Sequence, residues 1–209
     1  MTAEGKAPDP SRAASDTAID VLRDHIAARR AVAPAPVLVA LDGRSAVGKS
    51  TLAQQIATRT AALVIDGDDF YRGGGDAFWQ ARNPAEKVDL AIDWRRQRVL
   101  LTKLRRGEPA WWQPYDWEVD DGRLAAEVNV GPAAVVILDG AYSARRELAD
   151  LFALRALLDV PRQERRERLL RREGECYRAQ WEARWSEAED LYFEQLMPPE
   201  SFDLVLDGS

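Results

Sequence analysis

Residues Gly43 to Ser50 read GRSAVGKS and meet every fixed position of the pattern G-x-x-x-x-G-K-[ST]. The apolar run Val37 to Leu41 precedes them, and Thr51 to Arg59, rich in Ala and Gln, follows, so the order predicts a strand, a tight loop and a helix. Gly43 and Gly48 permit backbone conformations that a side chain would block, which lets successive N–H groups turn inward. The following helix adds the positive end of its dipole. Such a loop is suited to the phosphates of a nucleoside triphosphate. The stretch Gly43, Arg44, Ser45, Ala46, Val47, Gly48, Lys49, Ser50, Thr51 is therefore the expected nucleotide-binding set. Within it, Lys49 serves the β- and γ-phosphates and the Ser50 hydroxyl serves a bridging Mg²⁺, so ATP and Mg²⁺ are the expected cofactors.

A chain of 209 residues suits one α/β domain, expected over 15–209 behind a disordered lead-in over 1–14. No apolar run approaches the roughly 20 residues that cross a membrane, and no basic-then-apolar secretion signal opens the chain. Cys176 is the single cysteine, which excludes an internal disulfide and agrees with a cytoplasmic location. The formal charge of −6 argues against nonspecific nucleic-acid binding, which needs a broad basic face.

Periodicity orders the rest. Ser15 is placed to cap a helix from Asp16 to about Arg30, which carries the only histidine, His25, far from any motif. Short apolar runs at 62–65, 134–138, 154–160 and 202–206 read as strands, and 87–106, 162–173 and 178–196 as helices. Strand and helix alternate, which implies a parallel sheet covered by helices. Gly73 to Gly75 make a loop flexible, and 107–117, GEPAWWQPYDW, is too rich in proline for a helix and reads as a hairpin-like excursion ending near 124–128.

A parallel sheet places ligand chemistry beyond the carboxyl ends of its strands. The run ending at Ile65 delivers Asp66, Asp68 and Asp69, one of which is a candidate base. The run ending at Leu138 delivers Asp139, a candidate for Mg²⁺ or its bound water. Helical spacing sets Arg165, Arg168 and Arg172 on one face, where they can meet a transferring phosphoryl group, although most of that helix also reads as a Glu/Arg surface helix. Trp111, Trp112, Tyr115 and Trp117 either wall an acceptor pocket, with Asp116 holding a hydroxyl, or form a satellite core.

In combination these motifs resemble the uridine kinase branch of the P-loop kinases, which includes phosphoribulokinase and pantothenate kinase relatives. The likeness runs from about Val37 to Asp207 and rests on GRSAVGKS, Asp68-Asp69-Phe70-Tyr71, Pro114-Tyr115-Asp116-Trp117, the strand ending Leu138-Asp139-Gly140, and the arginine-rich helix. The resemblance implies a P-loop NTPase α/β fold with a five-stranded parallel sheet flanked by helices, an acceptor-binding excursion at about 72–130 and a lid at about 162–178. It selects Asp68 as the base for the acceptor hydroxyl, puts Asp139 near Mg²⁺, makes Arg165, Arg168 and Arg172 the lid, and lines the acceptor pocket with Tyr115. Tyr71, Arg72, Asp93 and Trp112 complete the expected acceptor set, and the family's frequent self-association extends to this chain as an expected homo-oligomer. The histidine that reads the base in the nucleoside kinases has no counterpart at 118–122.

The reading that follows is an ATP- and Mg²⁺-dependent kinase acting on a hydroxyl of a nucleoside-like or sugar-like small molecule. Its rivals are a nucleoside monophosphate kinase, in which Arg72 and Arg82 clamp the acceptor phosphate, and an ATP-binding regulator without a phosphorylated acceptor.

Overall fold

The computed structural model describes residues 10–33 and 36–209, with the side chains of 10–16, 172–173, 175–178 and 181 outside the description. Five strands, β1 (Val37–Asp42), β2 (Leu63–Asp66), β5 (Val135–Asp139), β6 (Leu154–Asp159) and β7 (Leu204–Asp207), form one parallel sheet in the order β2-β5-β1-β6-β7. Every one of them ends on an aspartate. β3 (Ala110–Trp112) and β4 (Val128–Val130) make a separate antiparallel ribbon.

The central strands are buried on both faces, and their alternation divides the core in two. Leu38 and Ala40 of β1, with Val136 and Leu138 of β5, face one cluster with Phe70, Trp79, Leu101 and Tyr192. Val37, Val39 and Leu41, with Val135 and Ile137, face the other with Ile19, Leu22, Ile26 and Ile56. Helices α1 (Pro10–Val32) and α2 (Lys49–Thr60) supply the second cluster. Helices α3 (Asp76–Gln80), α4 (Pro84–Leu90), α5 (Trp94–Arg105), α6 (Arg162–Glu173) and α7 (Glu175–Leu191) complete the chain, and α3, α4, α5 and α7 cover the first. The result is the expected α/β fold with a five-stranded parallel sheet between helical layers.

Four boundaries differ from the sequence expectations. The lead-in lies outside the described residues as far as Asp9, and α1 is already helical at Pro10. The helix expected over 87–106 is two helices, because Asp93 ends one path and caps the next: its carboxylate accepts from the Arg95 and Arg96 amides. The ribbon closes at Val128–Val130, beyond the stretch 124–128, where Leu124 makes only an isolated bridge to Tyr115. The last helix keeps α geometry to Leu191 and widens into a π turn over Tyr192–Leu196 before Pro198 and Pro199.

Candidate active site

The loop between β1 and α2 takes the conformations its glycines permit. Gly43, Ala46 and Gly48 all have positive φ, at 151°, 65° and 99°. A Cβ on Gly43 would stand 2.4 Å from the Leu158 carbonyl oxygen, so the approach of the loop to β6 excludes any side chain there. No side chain caps the start of α2, which leaves its first amides and the helix dipole for an anion. Lys49 is buried, and its Nζ donates to the carbonyls of Gly43 (2.9 Å) and Arg44 (3.1 Å).

Residues far off in sequence hold this loop from behind. Asp42 is fully buried, and its two oxygens accept from the amides of Gly43 (2.8 Å), Tyr142 (2.9 Å) and Ala144 (2.9 Å) and from the Tyr192 hydroxyl (2.9 Å). Burial pushes its carboxyl up to about 6 while the Ala144 and Gly43 amides and the Tyr192 hydroxyl pull it down. Glu189 of α7, also buried, accepts the Ser45 amide at 2.8 Å through one oxygen and the Arg165 guanidinium at 2.8 Å through the other. Arg44 pairs with Asp190 and, at 3.2 Å, with Glu194. Arg168 donates to the Val47 carbonyl at 3.0 Å and to the Gly208 carbonyl at 2.7 Å. Arg165 and Arg168 thus converge on the loop, Arg165 through Glu189 and Arg168 directly; the Arg172 side chain lies outside the described residues, as does that of Cys176. His25 is exposed on α1 with its Nδ1 2.9 Å from the Val21 carbonyl.

Opposite the loop, β2 and β5 end in register, Asp66 beside Asp139. Their next residues are glycines in close approach: a Cβ on Gly67 would meet the Asp139 carbonyl oxygen at 2.7 Å. That contact brings the turn Gly67–Phe70 over the end of β5. Asp66 caps the turn by accepting the Asp68 amide at 2.9 Å, so Asp66 has a structural use, while the Asp68 residue is exposed on the turn. The Asp68 carboxyl is pushed up to about 6, first by the protein crowding around it and next by Asp66, and Lys49 opposes the push. Its side chain still reaches water, which softens the shift in the open cleft. The charges of Lys49 and Asp139 both act on the Asp68 carboxyl, and that of Lys49 on Asp139.

Asp139 is buried, and its Oδ1 has no donor among the described residues. Burial raises its pKa, while Lys49 and the nearby Ser50 hydroxyl lower it. An unpartnered carboxylate oxygen beside a hydroxyl is the hard-oxygen donor set that suits Mg²⁺, which takes few protein ligands and completes its shell with water and phosphate. Among the described residues no group of three or more acidic, histidine or cysteine side chains gathers into a metal cage.

On the acceptor side Tyr71 packs against Trp117 (4.9 Å, stacked) and Tyr115 (5.0 Å, edge-on), and its hydroxyl accepts from the Trp79 indole at 2.8 Å. Trp112 and Tyr115 are buried in the core cluster rather than standing free as a wall, with the Trp112 indole donating to Asp69 at 2.7 Å and the Tyr115 hydroxyl to Asp120 at 2.6 Å. Asp116 closes a turn by accepting the Glu118 and Val119 amides, and Asp93 caps α5. Trp117 and Trp111 are half-exposed. Arg72 is exposed, with its guanidinium toward the Phe78 ring.

Two residues of the site have no place in the sequence reading. Asp42 carried a signal, an acid at the end of an apolar run, the same pattern that singles out Asp139. Glu189 carried none, since its partner Ser45 lies 144 positions away and only folding joins them.

No family model matches the chain. It is similar to a uridine kinase of Ureaplasma parvum, 24% identical over 135 residues that make up 62% of this chain and 65% of that protein. The chain thus spans just under two thirds of that relative's length. Among solved structures it is similar to one described as a possible uridine kinase from Bacillus stearothermophilus, with a TM-score of 0.72 and 22% identity over 92% of this chain and 98% of that one. It also shares the fold of a D-glycerate 3-kinase from Cryptococcus neoformans, with a TM-score of 0.65 and 14% identity over 98% and 97% of the two chains. The resemblance to the uridine kinase-like branch of the P-loop kinases therefore holds in sequence and in fold.

Proposed function

We propose that this chain is an ATP- and Mg²⁺-dependent kinase that transfers a phosphoryl group to a hydroxyl of a small molecule. The feature that supports the reading is Asp68, at the turn after β2, whose carboxyl responds to the charges of Lys49 and Asp139. Likeness to a uridine kinase supports it. The loop amides and Lys49 hold and neutralise the triphosphate. Ser50 and Asp139 would hold Mg²⁺, which supplies charge neutralisation at the phosphates when bound. Asp68 orients the acceptor hydroxyl and takes its proton; a carboxyl raised to about 6 is ionised at neutral pH and is a stronger base than an ordinary aspartate. Arg168 sits at the crest of the loop, where charge develops.

The test is Asp68→Asn. Turnover, followed as ADP release with a panel of alcohols, is expected to fall by about 10²–10⁴-fold, while calorimetric MgATP affinity stays within about threefold. Unchanged turnover would overturn the assignment.

A further inference from the structure

The stretch after the base turn carries two cations that no carboxylate pairs with among the described residues. Arg72 lies 5.8 Å and Arg82 4.4 Å from the centroid of the same ring, Phe78. Of the carboxylates nearest in sequence, Asp68 is the candidate base, Asp69 accepts the Trp112 indole, and the rest are committed elsewhere. Asp76 pairs with Arg184, Glu86 accepts the Asn83 amide in a capping box, and Asp89 accepts the Trp94 indole and faces Arg145. Among the described residues no acid pairs with Arg72 or Arg82, although the chain as a whole is acidic at −6. Cation–π contact returns only about 0.5–1 kcal/mol at exposed positions and supplies no counter-ion for either guanidinium group.

The backbone that carries the pair is tied down. The Arg72 amide donates to the Ala91 carbonyl at 2.9 Å, and Tyr71 bridges to Ile92, so the backbone carrying Arg72 is tied to the break between α4 and α5. Arg82 is half-buried at the end of α3, where its amide donates to Trp79. Arg72 stands four residues after Asp68, within about 14 Å along even a fully extended chain. An acceptor whose hydroxyl meets Asp68 thus has the Arg72 backbone within that span. Guanidinium groups are the preferred partners of carboxylate and phosphate oxygens.

We infer that Arg72 and Arg82, gathered about Phe78, form an oxyanion site that takes the charged end of the acceptor, so the acceptor is a phosphorylated or carboxylated alcohol. This rests on the kinase reading for the chemistry at Asp68, though the oxyanion site itself is measurable without turnover.

Two readouts on the full chain separate the two. In the first, ADP release with MgATP is compared for matched pairs: glycerol against glycerate, ribose against ribose 5-phosphate, uridine against uridine 5′-monophosphate. The charged member is expected to have a kcat/KM at least 100-fold above its neutral partner, and ³¹P NMR tells a new phosphate ester from a diphosphate. In the second, ribose 5-phosphate and glycerate are titrated calorimetrically into wild type, Arg72→Ala and Arg82→Gln in the presence of Mg²⁺ and a non-hydrolysable ATP analogue, the two arms separating phosphate from carboxylate. Each substitution is expected to weaken binding of the preferred oxyanion by 10-fold or more and leave the analogue's affinity within twofold. Preference for the neutral members, absence of oxyanion binding, or binding unmoved by both substitutions would overturn the site. Oxyanion binding lost in the variants, with no acceptor phosphorylated, would uphold the site and sink the kinase reading instead.

Discussion

The two sides of the cleft are held by different forces. Behind the phosphate loop nearly every polar group is matched to a specific partner: Asp42 receives four donors, Glu189 joins the Ser45 amide to Arg165, and Lys49 and Arg168 engage loop carbonyls. On the acceptor side the contacts are broad ring faces, Tyr71 with Trp79, Tyr115, Trp117 and Trp185, together with the two arginines that lack a carboxylate. Hydrogen bonds to buried charge are directional and costly to break, whereas aromatic packing tolerates shifts of a fraction of an ångström. The loop side is built to keep one geometry, and the aromatic side rests on less directional contacts.

Gly43→Ala strikes the rigid side hardest. The added carbon clashes with the Leu158 carbonyl on β6 and the position has positive φ, so the loop must move. MgATP affinity measured by calorimetry is expected to fall by about 100-fold or more, since the cradle depends on the placement of several amides at once. Affinity within threefold of wild type would mean that the loop is as forgiving as the aromatic side.

Asp42→Asn follows. An amide relieves the burial of charge but turns an NH₂ toward two of the four donors, and each orphaned donor costs about 1–3 kcal/mol. A net loss of about 2 kcal/mol, a fall of roughly 4–8 °C in Tm, is expected by calorimetry at pH 7. The pH dependence sharpens the point. A carboxyl raised to about 6 in the fold binds more protons there than in the unfolded chain between its ordinary value and 6, so its contribution is largest in acid and is lost as pH rises through about 6. Asn removes that slope, and the gap in stability between variant and wild type should widen on acidification.

Asp68 gives a pH signature of activity with the opposite direction. The base works ionised, so kcat/KM is expected to fall about tenfold per pH unit below about 6 and to level off above it. A profile flat down to pH 4.5 would remove Asp68 from proton transfer. The smallest effect belongs to the aromatic side: Trp117→Leu, at a half-exposed ring, is expected to lower Tm by at most about 2–4 °C and leave MgATP affinity unchanged.

The phosphate side was also the more legible in sequence. GRSAVGKS states its own geometry, and the apolar runs ending in acids locate Asp139 and the turn of Asp68, because strand burial and strand ends are local properties. The partners behind the loop were not legible, since Glu189 and Arg165 meet Ser45 only through the packing of α6 and α7. On the acceptor side composition misleads. Trp112 and Tyr115 look like a binding wall, yet their depth in the core was decided by the path of a ribbon whose end the sequence marked two residues early. The break at Ala91 to Asp93 was hidden because amphipathic spacing continues across it, and only the Asp93 cap betrays a new start.

β2 and β5 are hydrogen-bonded neighbours, so the chain that leaves the sheet at Asp66 returns to it one strand over, at Val135. Seen from the sheet, everything between is a single detour pinned at adjacent points. Lengthening such a detour raises its closure cost only logarithmically. A chimera carrying another protein's stretch in place of 71–130 would therefore leave the ladder and the loop at 43–50 unaltered.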